Sequence, residues 1–344
     1  MPKRQIIQLW DKGYLNVNLK SFLGLVEIRT KLASMVPFLL GTVYASYRFQ
    51  RFHPINFLLF FGALICIDMF TTALNNYLDF KRANKRHGYN FESHNAIVRD
   101  NIKESTVLMT IALLYAVAVL FGILLTVNTN IIVLGVGTLS FAVGILYSFG
   151  PLPISRMPLG ELFSGLFMGF VIVFLSVYIH IYEMDVATLK ITSLDLQDIS
   201  LFLHVDIREL IFIFLLSLPA ICGIANIMLA NNICDIEDDL ENRRYTLPVY
   251  IGRENALLLF KVMYYVSYLD IAVLAVLKLI PYICLASLLT LIPVIRNLKQ
   301  FDETQSKNGT FDLSVKNFFL INTSIILMIF VALAASAVSH NLFL

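Results

Sequence analysis

Two segments of this sequence repeat one arrangement of amide and carboxylate side chains. They read NNYLDFKRANKR, residues 75–86, and NNICDIEDDLENRR, residues 231–244. Both begin with Asn-Asn-x-x-Asp and continue within a few residues into lysine or arginine. Hard oxygen ligands suit Mg²⁺, which proteins usually share with substrate phosphates. Because the basic side chains can contact phosphate oxygens directly, the two segments together predict binding of a magnesium-bound diphosphate.

Helical spacing places the polar residues of each segment on one face of a helix. Residues four apart on an α-helix lie one above the other, about 6 Å apart along the axis. In the second segment Asn231, Asp235 and Asp239 have this spacing, whereas Glu237 and Asp238 point elsewhere. In and before the first segment, the equivalent face consists of Asp68, Thr72, Asn75, Asn76 and Asp79.

An acidic cluster at a helix end has a simpler interpretation, a solvated membrane boundary. We keep that interpretation for Glu237 and Asp238. For the repeated pattern it is disfavoured, because a second copy occurs and because Asp68 lies deep inside an apolar run. A charge in the middle of a membrane helix costs about 2.5–3.5 kcal/mol, so Asp68 is expected to face protein or water.

The composition indicates a polytopic membrane protein. Of the 344 residues, 58% are hydrophobic and 15% are charged, and the mean hydropathy is +0.75. Soluble domains are roughly 45–50% apolar and about 25% charged, so a soluble protein is excluded. Nine spans of sufficient length are predicted, at about 32–50, 55–79, 105–127, 130–149, 160–183, 209–234, 256–277, 279–296 and 318–340.

The distribution of basic residues predicts the orientation of the chain. With a cytoplasmic N-terminus and nine crossings, 21 of the 26 Lys and Arg residues fall on the cytoplasmic side. Because cytoplasmic loops are enriched in these residues, we expect a protein of the cell membrane with its N-terminus in the cytoplasm and its C-terminus outside the cell. Both repeated segments end even-numbered spans and therefore face the cytoplasm. A diphosphate would bind at that surface, with its lipid tail among the helices.

Four stretches resemble the UbiA superfamily of intramembrane prenyltransferases, and in particular its branch that prenylates 1,4-dihydroxy-2-naphthoate in menaquinone synthesis. NNYLDFKRA is similar to the family's first aspartate motif, and YSFGPLPISRMPLGEL, residues 147–162, to its Y-x-x-G-P-x-P…L-G-E stretch. NNICDIEDDLENRRYTLPVYIGRENA is similar to the second aspartate motif of that branch. EIRTKLASMVPFLLGTVYA resembles the first helix more weakly, and the resemblance ends at about residue 260.

The resemblance implies an all-α membrane fold, with nine transmembrane helices around a central cavity in one domain over residues 1–344. A polar segment, 1–31, would precede two pseudo-halves, about 32–149 and 160–296, and a final helix at about 318–340. The implied activity is Mg²⁺-dependent transfer of a polyprenyl group from polyprenyl diphosphate to dihydroxynaphthoate, giving demethylmenaquinone, diphosphate and CO₂. The lipid bilayer is a further implied partner, and no nucleic acid is expected.

Carried over residue by residue, the resemblance also implies which side chains form the site. The implied Mg²⁺ ligands are Asn75, Asp79, Asn231, Asp235 and Asp239, and all of these except Asn231 are also implied as catalytic. The implied substrate-binding residues are Lys31, Asp68, Asn76, Lys81, Arg82, Tyr147, Arg156, Asn232, Arg243 and Arg244.

The first motif departs from the family pattern. Asn76 stands where the family has its leading aspartate, and Ala83, Asn84 and Lys85 occupy the region of a later acid. The second segment is therefore expected to hold most of the metal.

Two alternatives remain open. The first is another aromatic acceptor used in the superfamily, such as 4-hydroxybenzoate, homogentisate or haem. The second, from a different class, is an ion-coupled secondary transporter that uses the intramembrane acids. Such transporters have helices broken by Gly or Pro at matching positions of two halves. The sixth span contains Pro219, but the second span has no matching break.

Overall fold

Apolar helices form most of the chain in this computed structural model. It describes residues 19–82, 95–150, 153–184, 186–195 and 198–342, with the backbone alone at 82, 190–195, 198–201 and 337–342. Eight helices in these ranges are long and apolar enough to cross a membrane, which confirms the predicted helical membrane architecture. The helices are α1 (Leu19–Leu25), α2 (Leu32–Arg48), α3 (Pro54–Arg82), α4 (Ala96–Arg99), α5 (Glu104–Asn128), α6 (Ile131–Ser148), α7 (Gly160–Ser164), α8 (Ile172–Ile181), α9 (Ile207–Cys234), α10 (Ile236–Glu241), α11 (Leu247–Ile251), α12 (Arg253–Val276), α13 (Leu291–Glu303) and α14 (Phe311–Leu342).

The helix at the first predicted span, about 32–50, is shorter than the helices of the other described spans. Its helix, α2, has 17 residues, which corresponds to a length of about 26 Å. The hydrocarbon core of a bilayer is about 30 Å thick, so this helix is short for a perpendicular crossing. It ends at Arg48, whose Nη2 lies 2.7 Å from Glu209 Oε1 near the start of α9. This ion pair fixes the end of α2 against the sixth predicted span.

The predicted eighth span, at about 279–296, begins and ends later than expected. The chain forms a 3₁₀ helix over Tyr282–Thr290 and continues directly into α13. The apolar segment therefore extends over Tyr282–Glu303. Two further 3₁₀ turns lie at Ile28–Lys31 and Ile154–Arg156.

The fifth span contains a π-helix between two α-helical parts. Residues Gly165–Val171 are π-helical and connect α7 to α8. A Cβ on Gly169 would lie 2.6 Å from the backbone N and Cα of Ile221 in α9. Such a distance is too short for a side chain, so glycine allows the two backbones to touch. This close packing positions α7, which carries Glu161, beside α9.

A β-hairpin outside the helices was not predicted. Strands β1 (Ala187–Asp195) and β2 (Asp198–Val205) pair antiparallel, with an irregularity between Ile191 and Ser193. The sequence showed this region only as an acidic segment between two apolar spans. After the hairpin, the side chain of Asp206 caps α9 by accepting hydrogen bonds from the backbone N–H groups of Arg208 and Glu209.

The described chain divides into two compact units, and the division falls within α3 and α5. The first unit comprises the chain up to Leu32 together with Gly62–Phe121; the second comprises Ala33–Phe61 and Gly122–Leu344. These units differ from the predicted pseudo-halves, about 32–149 and 160–296. The single domain over 1–344 with two such halves stays a prediction.

Each unit has its own apolar contacts. In the first, the rings of Phe70 and Tyr115 have centroids 5.6 Å apart. In the second, the buried residues Val36, Ala220 and Phe318 pack in one cluster that connects α2, α9 and α14. This packing holds α9, whose last turn carries the second repeated motif.

Candidate active site

The second motif begins at the end of α9, where the helix is interrupted once. The helix ends at Cys234, Asp235 has φ −106° and ψ 10°, and α10 starts at Ile236. The backbone N–H of Asp239 still donates to the carbonyl of Asp235 at 2.7 Å. Asp235 therefore lies between the two helices, and its carbonyl accepts a hydrogen bond from the first turn of α10, so Asp235 and Asp239 keep the four-residue relation that the spacing predicted.

Asn232 joins this motif to the start of the fifth span. Its side chain is almost fully buried, and its Nδ2 donates to Glu161 Oε1 at 2.8 Å. The second carboxylate oxygen, Oε2 of Glu161, is also buried and accepts no hydrogen bond from the described residues. Asn231 is half-buried, and its Nδ2 lies 3.5 Å from Asn232 Oδ1. The two asparagines thus differ: one orients a buried acid, and the other is accessible.

Asp239 is a buried carboxylate with both a hydroxyl and a cation beside it. Only 3% of the residue is exposed. Thr246 Oγ1 donates to its Oδ2 at 3.0 Å, and Arg244 Nε lies 3.4 Å from its Oδ1. Burial raises the pKa of the Asp239 carboxyl, and the Arg244 guanidinium opposes that rise. Arg244 therefore compensates part of the Asp239 charge, and a metal ion at this carboxylate would share it with the guanidinium.

The Gly- and Pro-containing stretch at 147–162, in which Tyr147 and Arg156 were predicted to bind substrate, contacts the second motif. Arg244 Nη2 donates to the carbonyl of Ser155 at 3.3 Å, and the N–H of Tyr245 donates to the carbonyl of Arg156 at 3.2 Å. The Arg156 side chain itself is exposed. The hydroxyl of Tyr147 is buried, within the electrostatic influence of Glu161 and Arg244. Pro151 lies outside the described residues.

The remaining charged residues of the second motif point to the surface. Glu237, Asp238 and Arg243 are exposed. Arg253 Nη2 lies 2.5 Å from Glu237 Oε1, an exposed ion pair. Arg243 has φ 54°, in the left-handed region, where the chain turns after α10. The solvated boundary that we expected at Glu237 and Asp238 agrees with their exposure.

A lysine from a distant loop completes the surroundings of Asp235. The Nζ of Lys307, which lies between α13 and α14, contacts Asp235 Oδ2. The Asp235 side chain is 18% exposed and that of Lys307 is 37% exposed. The carboxylate is therefore accessible to solvent, and its counter-ion lies at the protein surface.

In the first unit, the first motif lies within α3, which continues unbroken to Arg82. Asn75 Nδ2 donates to Asp79 Oδ2 at 3.2 Å, so the predicted pair is brought together on the helix surface. Asn76 is buried, and its Nδ2 donates to the carbonyl of Leu25 at 3.0 Å and to Glu27 Oε1 at 3.1 Å. Asn76 is thus engaged with the chain that precedes α2.

Asp68 and Lys31, both predicted to bind substrate, bind each other. Lys31 is 3% exposed. Its Nζ lies 2.6 Å from Asp68 Oδ1 and donates to Thr72 Oγ1, also at 2.6 Å. The expectation that Asp68 faces protein is met by this pairing, which compensates its charge. A compensated carboxylate is a weaker metal ligand than a carboxylate that faces solvent.

Near the end of α3 the basic residues face the surface. Lys81 Nζ lies 2.6 Å from Glu104 Oε1, with both side chains 45% exposed. Tyr77 OH donates to the same oxygen at 2.8 Å. The side chain of Arg82 lies outside the described part of the chain, as do Ala83, Asn84 and Lys85, so the predicted roles there stay predictions.

Two residues near the second motif were not predicted as site residues. Glu161 stands at the start of an apolar span inside the quoted L-G-E stretch, and an acid at that position is a signal that the sequence offered. Lys307 had no such signal, because it is 72 residues away from Asp235 along the chain. Only the packing of the last two spans against α9 and α12 brings it close.

Known proteins share both the sequence and the fold of this chain. The UbiA prenyltransferase family matches residues 34–323. A protein of Bacillus subtilis (strain 168) described as 1,4-dihydroxy-2-naphthoate octaprenyltransferase is 32% identical over 245 residues, which cover 71% of this chain and 70% of that protein.

Solved structures of low sequence identity share the fold. A UbiA homologue from Aeropyrum pernix K1 has a TM-score of 0.64 at 18% identity, covering 87% of this chain and 98% of that one. A UbiA homologue from Archaeoglobus fulgidus bound to GPP and Mg²⁺ has a TM-score of 0.62 at 14% identity, covering 91% and 99%. The family match extends over most of the residues, and the relative covers more than two thirds of both chains. The chain therefore belongs to the UbiA prenyltransferase family.

Proposed function

We propose that this protein transfers a polyprenyl group from polyprenyl diphosphate to an aromatic acceptor in a Mg²⁺-dependent reaction. The acceptor that we favour is 1,4-dihydroxy-2-naphthoate, because the Bacillus subtilis relative is named for that substrate. The products would be the quinol form of demethylmenaquinone, diphosphate and CO₂. The family, the helical membrane fold and the grouping of acids at the end of α9 support this proposal.

The observation that carries the proposal is the pair of carboxylates Asp235 and Asp239, one accessible and one buried beside Arg244. Their oxygens, with the amide oxygen of Asn231, form a set of hard donors of the kind that Mg²⁺ prefers. Among the described residues no three His, Cys, Asp or Glu side chains form a closed metal cage. Mg²⁺ typically binds one or two carboxylates and completes its coordination with water and substrate phosphates, so this donor set fits it.

When bound, Mg²⁺ stabilises the departing diphosphate as a Lewis acid. The C–O bond of the prenyl donor breaks with its electron pair on the diphosphate, and a ring carbon of the acceptor forms the new C–C bond. Loss of CO₂ returns an electron pair to the ring. Arg244 and Arg243 would contact phosphate oxygens, since guanidinium groups bind them in a bidentate manner. Tyr147, Arg156 and Asn232 would line the substrate-binding region.

The first motif would contribute in the same chemical way. Asn75 and Asp79 are proposed as oxygen ligands, and Lys81 and Arg82 as phosphate contacts. The Lys31–Asp68 pair and the hydrogen bonds of Asn76 to Leu25 and Glu27 would also hold the surroundings of the motif. Their predicted contact with the substrate remains part of the proposal.

We further propose that the protein resides in the cell membrane with its N-terminus in the cytoplasm and its C-terminus outside. The asymmetry of Lys and Arg residues supports this orientation. Both repeated motifs would then lie toward the cytoplasm, where a soluble acceptor and the diphosphate product can enter and leave.

An assay of the purified protein tests the proposal. A labelled polyprenyl diphosphate is incubated with dihydroxynaphthoate, 4-hydroxybenzoate, homogentisate or haem, with Mg²⁺ or with a chelator. We expect a prenylated naphthoquinol only with dihydroxynaphthoate and Mg²⁺. Prenylation of another acceptor alone would correct the substrate. If no acceptor is prenylated and Asp235→Ala behaves like the wild type in cells, the enzyme proposal is wrong.

A further inference from the structure

The ammonium group of Lys307 binds the carboxylate of Asp235, which the proposed reaction needs as a ligand of Mg²⁺. Its Nζ contacts Asp235 Oδ2, and Asp235 is the accessible acid of the second motif. Two cations compete for one carboxylate oxygen, because each removes the charge that attracts the other. A metal that binds Asp235 must therefore displace Lys307 or share the oxygen with it.

The position of Lys307 is fixed by the fold of its loop rather than by the flexible lysine stem. Thr310 is buried, its Oγ1 donates to the carbonyl of Thr304 at 2.6 Å, and it accepts from the N–H of Ser306 at 3.0 Å. Gln305 Nε2 donates to the carbonyl of Phe301 at 2.7 Å. These bonds hold the loop backbone, so the lysine is presented to the motif even when its head group moves.

The short helix of the motif and this loop are also connected by a second contact. Arg253 Nη2 lies 2.5 Å from Glu237 Oε1, and its Nη1 lies 3.5 Å from Gln305 Oε1. The loop that carries Lys307 is thus tied to α10 by a residue other than Lys307. Loss of the lysine should leave the loop where it is, which allows its role to be tested by substitution.

We propose that Lys307 exchanges partners during binding: it is the counter-ion of Asp235 in the metal-free protein and a diphosphate ligand when Mg²⁺ and substrate are bound. This inference rests on the proposed function. A Mg²⁺-bound diphosphate brings negative oxygens to Asp235 together with the metal that displaces the ammonium. The side chain is 37% exposed and a lysine stem is flexible, so the head group could turn from the carboxylate to a phosphate oxygen of the bound diphosphate.

The exchange predicts opposite effects of one substitution on two ligands. In Lys307→Met the competitor for Asp235 is gone, so Mg²⁺ alone should bind about two- to fivefold more tightly, the range expected for a partly exposed pair. The contact to diphosphate is also gone, so inorganic diphosphate with saturating Mg²⁺ should bind about tenfold more weakly. A residue that only supports the fold would weaken both.

The experiment uses the full chain purified in detergent. Mg²⁺ affinity is measured from the rise of the thermal midpoint with MgCl₂, and diphosphate affinity by calorimetry with inorganic diphosphate. Lys261→Met is the matched control, because Lys261 forms a similar exposed pair with Asp302 at 3.1 Å. Lys307→Arg should restore diphosphate binding, and in Asp235→Asn the Lys307→Met substitution should no longer change Mg²⁺ affinity.

The inference fails if Lys307→Met matches Lys261→Met in either titration. Tighter Mg²⁺ binding with unchanged diphosphate binding would make Lys307 a simple competitor and would refute the exchange. Weaker binding of both Mg²⁺ and diphosphate would indicate a folding defect and would also refute the exchange. Failure of the wild type to transfer prenyl groups refutes the proposed function instead, since neither titration depends on turnover.

Discussion

The two Asn-Asn-x-x-Asp motifs share a local arrangement but differ in the lysines that pair with their acids. In each, the second asparagine is buried and its amide holds a glutamate: Asn76 binds Glu27 and Asn232 binds Glu161. This likeness extends the repeat from sequence to side-chain contacts. In the first motif the deep acid, Asp68, has a buried lysine as its partner, whereas in the second the accessible acid has an exposed one.

That difference separates a structural charge pair from an exchangeable one. A buried ammonium bound to a carboxylate and a hydroxyl cannot leave without exposing uncompensated charge to a low-dielectric interior. An exposed lysine on a surface loop can leave at little cost. The same residue types therefore predict different behaviour in the two motifs, and the following substitutions test that difference.

The largest effect is expected for Lys31→Met. Because Lys31 is 3% exposed and pairs with Asp68 at 2.6 Å, its removal should destabilise the protein by about 3–5 kcal/mol. Thermal unfolding in detergent measures this loss. Lys81→Met, which breaks the exposed pair with Glu104, is the control and should change the midpoint far less. Equal losses in both variants would contradict a special role for burial.

Asp235→Asn should have the next largest effect, a loss of activity of about 10²–10³-fold. The substitution removes a charge that stabilises the leaving diphosphate through the metal, and single groups of that kind contribute effects of this size. Initial rates of prenyl transfer at saturating Mg²⁺ measure it. Asp79→Asn is expected to cost less, because the first motif has Asn76 in place of the family's leading acid. A greater loss for Asp79→Asn would reverse our ranking of the two motifs.

Asn232→Ala should reduce activity by about 10–100-fold, the range for residues that orient a site from behind. It leaves Glu161 without its amide donor and removes the side chain that Asn231 contacts. Asn76→Ala, the equivalent change in the first motif, should mainly lower stability, by about 1–3 kcal/mol for the unsatisfied groups. Measuring rate and thermal midpoint for both variants shows whether the shared arrangement has one role or two.

The smallest effect is expected for Asp238→Asn, with activity within about twofold of the wild type. Asp238 is exposed, and surface substitutions of this kind rarely change stability by more than about 0.5 kcal/mol. It is the matched control for Asp235→Asn because it lies three residues away in the same acidic cluster. A large loss of activity in this variant would show that Asp238 takes part in the site.

The helices were predictable from sequence, whereas the interactions between distant segments were not. Apolar runs such as those before Asn75 and Asn231 are long enough to identify spans by themselves. The interruption at Asp235 was not visible in the spacing, because Asp235 and Asp239 keep a helical four-residue hydrogen bond after it. The hairpin Ala187–Val205 was missed because its strands are partly polar and lie in a segment between two apolar spans, where no span was predicted. Glu161 left a signal, an acid at the start of an apolar span, but Lys307 reaches the second motif only through packing, which a one-dimensional pattern does not contain.

The close contact between Gly169 and Ile221 controls the position of the fifth span relative to α9. Backbone meets backbone there, with 2.6 Å between the position of an absent Cβ and the N and Cα of Ile221, so no side chain can rotate away to relieve a clash. An extra methyl group would push the fifth span away from α9 as a rigid body. Glu161 lies two turns earlier on that span, and its 2.8 Å bond to Asn232 would be lengthened. The absence of a side chain at Gly169, a residue outside the acidic cluster, therefore helps to keep Glu161 within hydrogen-bonding distance of Asn232.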